Sequence, residues 1–389
     1  MMAIRYTIAA RDTMSALASR FYGDSSLYPV IAIANRIADP NVIRVGQVLI
    51  VPGLTATHTV VVGDTLSGLA ERFYGDRARF PLIAAANKLP DPNTITVGQT
   101  LIIPDLTLAK HTLFCVPGTW EAVAVANANP GGISPSDPIG MLTGITSALD
   151  PQWFDIEYVN YPASFGPVPG GGDALLDALG RPSYRASRDM GVAELTRLIN
   201  AHDGSFGLLG YSQGGAVVSL VGRDIVSGSL QGRRGDCHWV HALASPHRGL
   251  GRTFHLGNSL AYQGISGDNI TETHPIDWFD YCLPGDIYGN ANIAGTYLKQ
   301  AYDIATEFTL TDPVAMITGI AEHIVDWVNS GILGPIDPAR LFATAVDLNN
   351  FLRDFPHDKY GIWDIIPEHT VLVHSAAHLN YWGPRIAPA

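Results

Sequence analysis

Gly210-Tyr211-Ser212-Gln213-Gly214-Gly215-Ala216 fits G-x-S-x-G, with the apolar run Phe206-Gly207-Leu208-Leu209 before it and the helix-forming run Ala216-Val217-Val218-Ser219-Leu220-Val221 after it. The first run is short and apolar, as a strand buried on both faces of a parallel sheet must be. Strand, sharp turn and helix is the context in which this motif presents its serine to a substrate. A turn that tight holds the serine in a strained backbone conformation, at a cost of about 1–3 kcal/mol, and leaves room only for small neighbours. The stretch therefore reads as a nucleophile elbow centred on Ser212.

On either side, strand and helix patterns alternate. His111-Thr112-Leu113-Phe114-Cys115-Val116 reads as a buried strand that ends in Pro117-Gly118-Thr119-Trp120, and Trp153 to Val159 as another. Tyr184 to His202 forms an amphipathic helix before the elbow strand, and Cys237 to Ala244 and Trp278 to Cys282 give two further strands. This alternation predicts an α/β sheet with helices on both faces. Residues 293–354 break it with consecutive helical patterns. Asp312-Pro313 and Asp337-Pro338 are cap-plus-proline starts, and Ile317, Ile320, Ala321, Ile324, Val325 and Val328 share one apolar face, so a helical insertion is expected. Thr370-Val371-Leu372-Val373 reads as a last strand before His374 and His378.

A serine hydroxyl needs a base, and the base needs an orienting carboxylate. In α/β-hydrolases the chain order is Ser, then Asp or Glu, then His, each in a loop after a strand. Asp286, in the Pro-Gly loop Cys282-Leu283-Pro284-Gly285-Asp286, is favoured as the acid over Asp280 and Asp277, which fall within a strand. His378, a loop's length after the expected last strand, is favoured as the base over His374 and His369. The Gln213 amide would be one oxyanion donor and Thr119, after an early strand, the second; losing such a donor typically costs about 10²–10³ in rate. Those histidines lack acidic or thiol companions at metal-ligand spacing, so neither metal nor cofactor is expected.

Residues 6–53 and 58–105 are one sequence written twice, identical at 26 of 48 positions at an offset of 52. Each copy opens with a β-like run and passes through Asp12-Thr13-Met14-Ser15 or Asp64-Thr65-Leu66-Ser67 into a helix ending Arg-Phe-Tyr-Gly-Asp. Asp or Thr would cap that helix, and Gly23 or Gly75 would end it in a left-handed turn. A second helix bearing Ala34-Asn35 or Ala86-Asn87 precedes Asp-Pro-Asn, and Val-Gly-Gln leads into a closing strand, making each unit βααβ.

The chain has 389 residues, 47% of them hydrophobic, enough for two or three domains. A net charge of −12 with no run of Lys or Arg argues against nucleic acid as a partner. Three cysteines are too few for a disulfide framework, which fits synthesis in a reducing compartment. Neither a signal peptide nor a membrane span is expected, because the N-terminus runs directly into patterned sequence and the longest apolar stretches are broken by charge.

Each repeat resembles the LysM module, whose signatures are the Gly/Arg-Asp-Thr opening, the Ala-Asn of the second helix and the Val-Gly-Gln-x-Leu-x-Ile-Pro ending. The resemblance assigns residues 5–53 and 58–105 to two modules. It implies binding of N-acetylglucosamine polymers, peptidoglycan or chitin, in a groove between two loops. In the second copy these loops carry Gly63, Asp64, Thr65 and Leu66 with Asp91 and Asn93. In the first they carry Asp12 and Thr13, beside Arg11 where glycine is usual. Residues 110–389 resemble the cutinase-like serine esterases, and more closely the lysin B enzymes of mycobacteriophages. The likeness rests on Gly-Tyr-Ser-Gln-Gly, Tyr161-Pro162-Ala163, the Cys-x-x-Gly-Asp of Cys282 to Asp286, and His378-Leu379-Asn380-Tyr381-Trp382. It implies a triad of Ser212, Asp286 and His378, with the Thr119 and Gln213 amides as oxyanion hole. It also implies a substrate in which mycolic acid is esterified to arabinogalactan, and action at a host's envelope after cytoplasmic synthesis. Fungal cutinases carry a second cysteine where this chain has Gly289. A lipase or cutinase acting on free lipid esters, or a wall-binding protein with an inactive hydrolase domain, would share these domains.

Overall fold

Thr13 and Thr65 start the first helix of each repeat in the same way. The Thr13 hydroxyl accepts from the Ala16 amide at 3.2 Å and that of Thr65 from the Gly68 amide at 3.0 Å, satisfying donors a helix cannot pair internally. In this computed structural model, residues 2–108, 110–121, 140–168, 179–251, 262–268, 276–307, 337–354 and 356–386, with 322, 323, 325, 326 and 329, are described. They divide into two units, Met1–Lys110 with Gly383–Ala389, and His111–Trp382.

In the first unit, β1 (Ile4–Thr7), α1 (Met14–Tyr22), α2 (Tyr28–Ala34) and β2 (Val48–Val51) form one βααβ repeat; β3 (Thr57–Thr59), α3 (Leu66–Tyr74), α4 (Phe80–Ala86) and β4 (Thr100–Ile102) form the other. The strands of each repeat pair antiparallel, β1 with β2 and β3 with β4. Gly23 and Gly75 end α1 and α3 at φ 71° and 65°, a conformation glycine adopts without Cβ strain. The Ala-Asn signature has a structural cause. Asn35 accepts from the Ile50 amide at 2.7 Å and donates to the Ile50 carbonyl at 2.6 Å, so its side chain stands in for a strand beside β2. Asn87 does the same for Ile102 beside β4.

The second unit is built on five parallel strands in the order β6-β5-β7-β8-β9: Phe154–Tyr158, His111–Val116, Phe206–Tyr211, Cys237–Leu243 and Asp277–Tyr281. Every residue of β5 and β7 is buried, which explains why neither alternates in sequence. On one face, α6 (Tyr184–Ala201) and α7 (Gln213–Ser227) set Leu195, Ile199, Val217, Val218 and Val221 against Phe114, Leu208, Val240 and Ala242. Each of these Leu, Ile, Val and Phe side chains contributes about 1.5–3 kcal/mol by leaving water. On the other face, Ser375 of α10 (Val371–Trp382) bonds His241 of β8 at 2.7 Å, and α5 (Thr143–Thr146) packs on α10. Helices thus cover both faces, as the alternation predicts.

One expectation needs correction. The run Thr370 to Val373 is not a strand: β10 (Asp364–Ile366) and β11 (His369–Thr370) make a short hairpin, and α10 begins at Val371. The Thr370 hydroxyl accepts from the Val373 amide at 3.3 Å, starting a helix where the β-branched residues read as strand. The helical insertion is represented among the described residues by α8 (Leu298–Glu307) and α9 (Pro338–Asp354). Asp312-Pro313, Ile317, Ile320, Ala321, Ile324 and Val328 lie outside the described residues, while Asp337 caps α9 by accepting from the Ala339 amide at 2.8 Å. Among the described residues, no helix is long and apolar enough to cross a membrane.

Candidate active site

Parallel register brings the carboxyl ends of the central strands level: Val116 pairs with Gly210, Tyr211 with Leu243, and Leu243 with Tyr281. The segments that follow carry Thr119, Ser212 and Asp286, so all three emerge at one edge of the sheet, where open α/β sheets place their ligands. Ser212 adopts φ 56° and ψ −115°, and its amide donates to the Leu243 carbonyl at 2.9 Å. The glycines beside it are sterically required. A Cβ on Gly214 would lie 1.9 Å from the Val116 carbonyl oxygen, and one on Gly210 would lie 2.2 Å from that of Gly214. The elbow is wedged against two neighbouring strands.

His357 faces the Ser212 hydroxyl. Its Nε2 lies 2.8 Å from Ser212 Oγ, and its Nδ1 lies 3.0 Å from both carboxylate oxygens of Asp286. His357 sits in the 3-10 turn Pro356–Asp358, directly after α9. Its ring is stacked on Tyr211 at 5.3 Å between centroids and packed on Tyr288 at 4.5 Å, while its carbonyl accepts from the Tyr211 hydroxyl at 2.6 Å. Asp286 is fully buried and otherwise satisfied: Tyr360 donates to Oδ2 at 2.8 Å and the Tyr288 amide to Oδ1 at 3.1 Å. Burial, with the nearby Asp286 carboxylate, pushes the Tyr288 hydroxyl up to about 12 and holds that of Tyr360 well above its ordinary value. Both phenols stay protonated, and Tyr360 remains a donor to the carboxylate.

His378 is not at this site. As a residue of α10 it packs on Phe279 with centroids 4.5 Å apart and lies 4.0 Å from Asp277, on the sheet face covered by α10. His374 faces the Tyr281 hydroxyl at 3.0 Å, and His369 faces the Pro367 carbonyl at 3.1 Å. Asp280 accepts from the Trp278 indole at 3.1 Å. Chain order of serine, acid and base is kept, but the base follows the helical insertion rather than a final strand. Pro356-His357-Asp358, a turn beyond a helix and downstream of Asp286, was the available signal.

The Gln213 side chain is buried and positions the elbow from below, its Oε1 accepting from Ser187 at 3.0 Å and its Nε2 donating to the Ser164 carbonyl at 3.0 Å. Its backbone amide opens α7, where a helix leaves donors unpaired. Thr119 lies in the loop after β5, next to Gly118, whose added Cβ would touch the Tyr211 ring at 2.8 Å. Glu121 fastens this loop by accepting from the Gly118 amide at 2.6 Å and the Met141 amide at 2.7 Å, and burial raises its pKa. Among the described residues, no group of three or more His, Cys, Asp or Glu side chains could hold a metal ion.

In the repeats, Asp12, Thr13, Met14, Ser15, Tyr28, Pro40, Asn41 and Ile43 line a groove of about 310 Å³. Asp12 accepts from the Ala9 amide at 2.7 Å and the Tyr6 hydroxyl at 2.8 Å, which hold its carboxyl below the usual range. Asp64 does the same with the Val61 amide at 2.9 Å and His58 at 2.8 Å. Asp91 accepts from the Asn93 amide at 2.9 Å in an Asx turn. These aspartates shape the groove loops. Gly63 at φ 93° and Arg11 at φ 76° occupy one left-handed turn position.

Fold and site together define a parallel α/β unit with a serine–histidine–aspartate relay, joined to two βααβ modules. The LysM domain family matches residues 6–52 and 58–104, and the chain carries two LysM domains. An esterase of Mycobacterium tuberculosis is 61% identical over 99 residues, a match spanning 25% of this chain and 22% of that protein's length. A chitin elicitor-binding protein of Oryza sativa subsp. japonica is 29% identical over 140 residues, 31% of this chain and 38% of its own length. The lysin B of mycobacteriophage D29 aligns over 63% of this chain and 100% of its own, at 20% identity and a TM-score of 0.39.

Proposed function

We propose that this chain is a serine ester hydrolase anchored to cell-wall glycan. The hydrogen-bonded series Ser212–His357–Asp286, at 2.8 and 3.0 Å on a strained elbow, carries the reading. His357 Nε2 takes the Ser212 proton as Oγ attacks the ester carbonyl. Asp286 holds Nδ1–H and stabilises the imidazolium. The Gln213 and Thr119 amides receive the oxyanion. His357 then protonates the leaving alcohol, and water releases the acid by the reverse sequence.

The LysM domains bind N-acetylglucosamine polymers, with peptidoglycan as the anchor. The ester is that joining mycolic acids to arabinogalactan, and the protein acts as a phage endolysin at the envelope of a mycobacterial host. The resemblance to lysin B at the elbow and acid loop supports this reading, as does the esterase relative from a mycobacterium. Hydrolysis of p-nitrophenyl butyrate and release of mycolic acid from isolated mycobacterial wall test it. Both activities should vanish in Ser212→Ala. Butyrate hydrolysis without mycolate release would place the substrate among simpler lipid esters.

A further inference from the structure

The two LysM domains share a core made from the same patch of each. Tyr22 and Tyr74, Val30 and Leu82, Ile33 and Ala85, Ala34 and Ala86, and Leu54 and Leu106 are pairs at the repeat offset, and all ten residues belong to one apolar cluster. Val30 and Leu82, at its centre, are 0% and 1% exposed. Self-matched patches of this kind characterise two-fold interfaces.

Backbone bonds lock the arrangement. Gly53, at the end of the first module, exchanges both its hydrogen bonds with Asp105, at the end of the second, at 3.0 and 2.8 Å, and the Ala3 amide just before the first module donates to the Thr107 carbonyl just beyond the second at 2.9 Å. Lys88 of the second module pairs with Asp24 of the first across the seam.

The groove lies elsewhere. None of its eight lining residues belongs to the shared cluster, and their counterparts in the second module are Asp64, Thr65, Leu66, Ser67, Phe80, Pro92, Asn93 and Ile95. Six of the eight are identical, and the two changes, Met14 to Leu66 and Tyr28 to Phe80, keep size and character. Packing the modules together therefore leaves the first module's groove, and the matching residues of the second, outside the seam.

We infer that the pair is one rigid bivalent anchor, in which both grooves engage segments of the same insoluble glycan at a spacing set by the shared core. Fixing that spacing removes the entropy a flexible linker would lose on the second contact, so retention on a polymer should exceed single-groove affinity by about 10²-fold or more. The inference rests on the glycan reading of the modules.

The test uses the full chain with two probes, the soluble N-acetylglucosamine trimer by calorimetry and isolated peptidoglycan sacculi by sedimentation. The wild type should bind the trimer at two sites. Val30→Asp with Leu82→Asp, which opens the shared core, should keep the trimer affinity while sacculus retention falls at least tenfold. Should that variant lose the trimer through misfolding, Ile33→Glu with Ala85→Glu places like charges on partly buried positions of the same seam and should give the same split. Trimer binding with undiminished sacculus retention in a trimer-competent variant overturns the bivalent anchor and leaves the glycan reading standing. A wild type that binds neither probe overturns both.

Discussion

A histidine can relay a proton only where one ring nitrogen meets the hydroxyl and the other a carboxylate. His357 meets both, between two tyrosine rings that fix its plane. His357→Ala should therefore lower kcat for a short ester by about 10³-fold or more, as loss of a triad member does, whereas His378→Ala should leave kcat within a few-fold. Parallel losses in both would return His378 to the mechanism. Tyr360→Phe removes a donor from the buried Asp286 and should cost about 10- to 100-fold in kcat, in line with a charged hydrogen bond of roughly 1.5–3 kcal/mol. His378 has a different effect. Burial depresses its pKa from 6.5 to about 4, and pushes His241 and His374 the same way. The unfolded chain then takes up protons first on acidification, so stability is complete above about pH 6.5 and falls between there and about pH 4. Thermal unfolding followed against pH should show that slope, and His378→Leu should flatten it. Ser212 and Asp286 were legible because an elbow and a Pro-Gly loop mark themselves locally. His357 was harder to read, because Pro356-His357-Asp358 marks only a turn after a helix and downstream of the acid, and that α9 delivers this turn to the serine is set by tertiary packing.

At the level of elements, most of the sheet was legible because buried parallel strands leave unbroken apolar runs, and the repeats because they are written twice. Val371-Leu372-Val373 has strand propensity, but it follows a capping threonine and continues into a helix whose His374 and Ser375 meet β9 and β8, and tertiary contact overrode propensity. The acid loop carries a prediction of its own. All three cysteines are free and buried, and a Cβ built on Gly289 would lie 2.9 Å from Cys282 Sγ, a separation compatible with a disulfide. Gly289→Cys should bond Cys282 under oxidising conditions, closing an eight-residue loop around Asp286. On the chain-entropy model this adds about 2–3 kcal/mol, visible as a rise of several degrees in Tm that a reductant reverses. If all four thiols of the unfolded variant remain titratable after oxidation, rather than the two of Cys115 and Cys237, the backbone around Gly289 holds the pair apart.

At the scale of the whole molecule, the proposed function places chemistry and anchoring on different units. Ser212, His357, Asp286, Thr119 and Gln213 all belong to the unit His111–Trp382, and both LysM domains, with the groove of the first, to the other. The division predicts how truncation acts. A small soluble ester needs only the elbow, the relay and the oxyanion donors, so a chain lacking residues 1–106 should hydrolyse p-nitrophenyl butyrate with kcat/KM within about two-fold of the full chain. Wall is a different substrate, because its esters are fixed in an insoluble polymer and the enzyme's residence time there sets how many it meets. On the proposed reading two linked glycan sites raise that residence by avidity, so the truncated chain should wash off sacculi and release mycolate from isolated wall more slowly, by about 10²-fold at dilute enzyme. The deficit should shrink as enzyme concentration rises, since saturating the surface from solution replaces anchoring. A deficit that persists undiminished at high concentration, or one equally large on the butyrate ester, would mean that residues 1–106 support the fold or the site itself, and the anchor reading would fail.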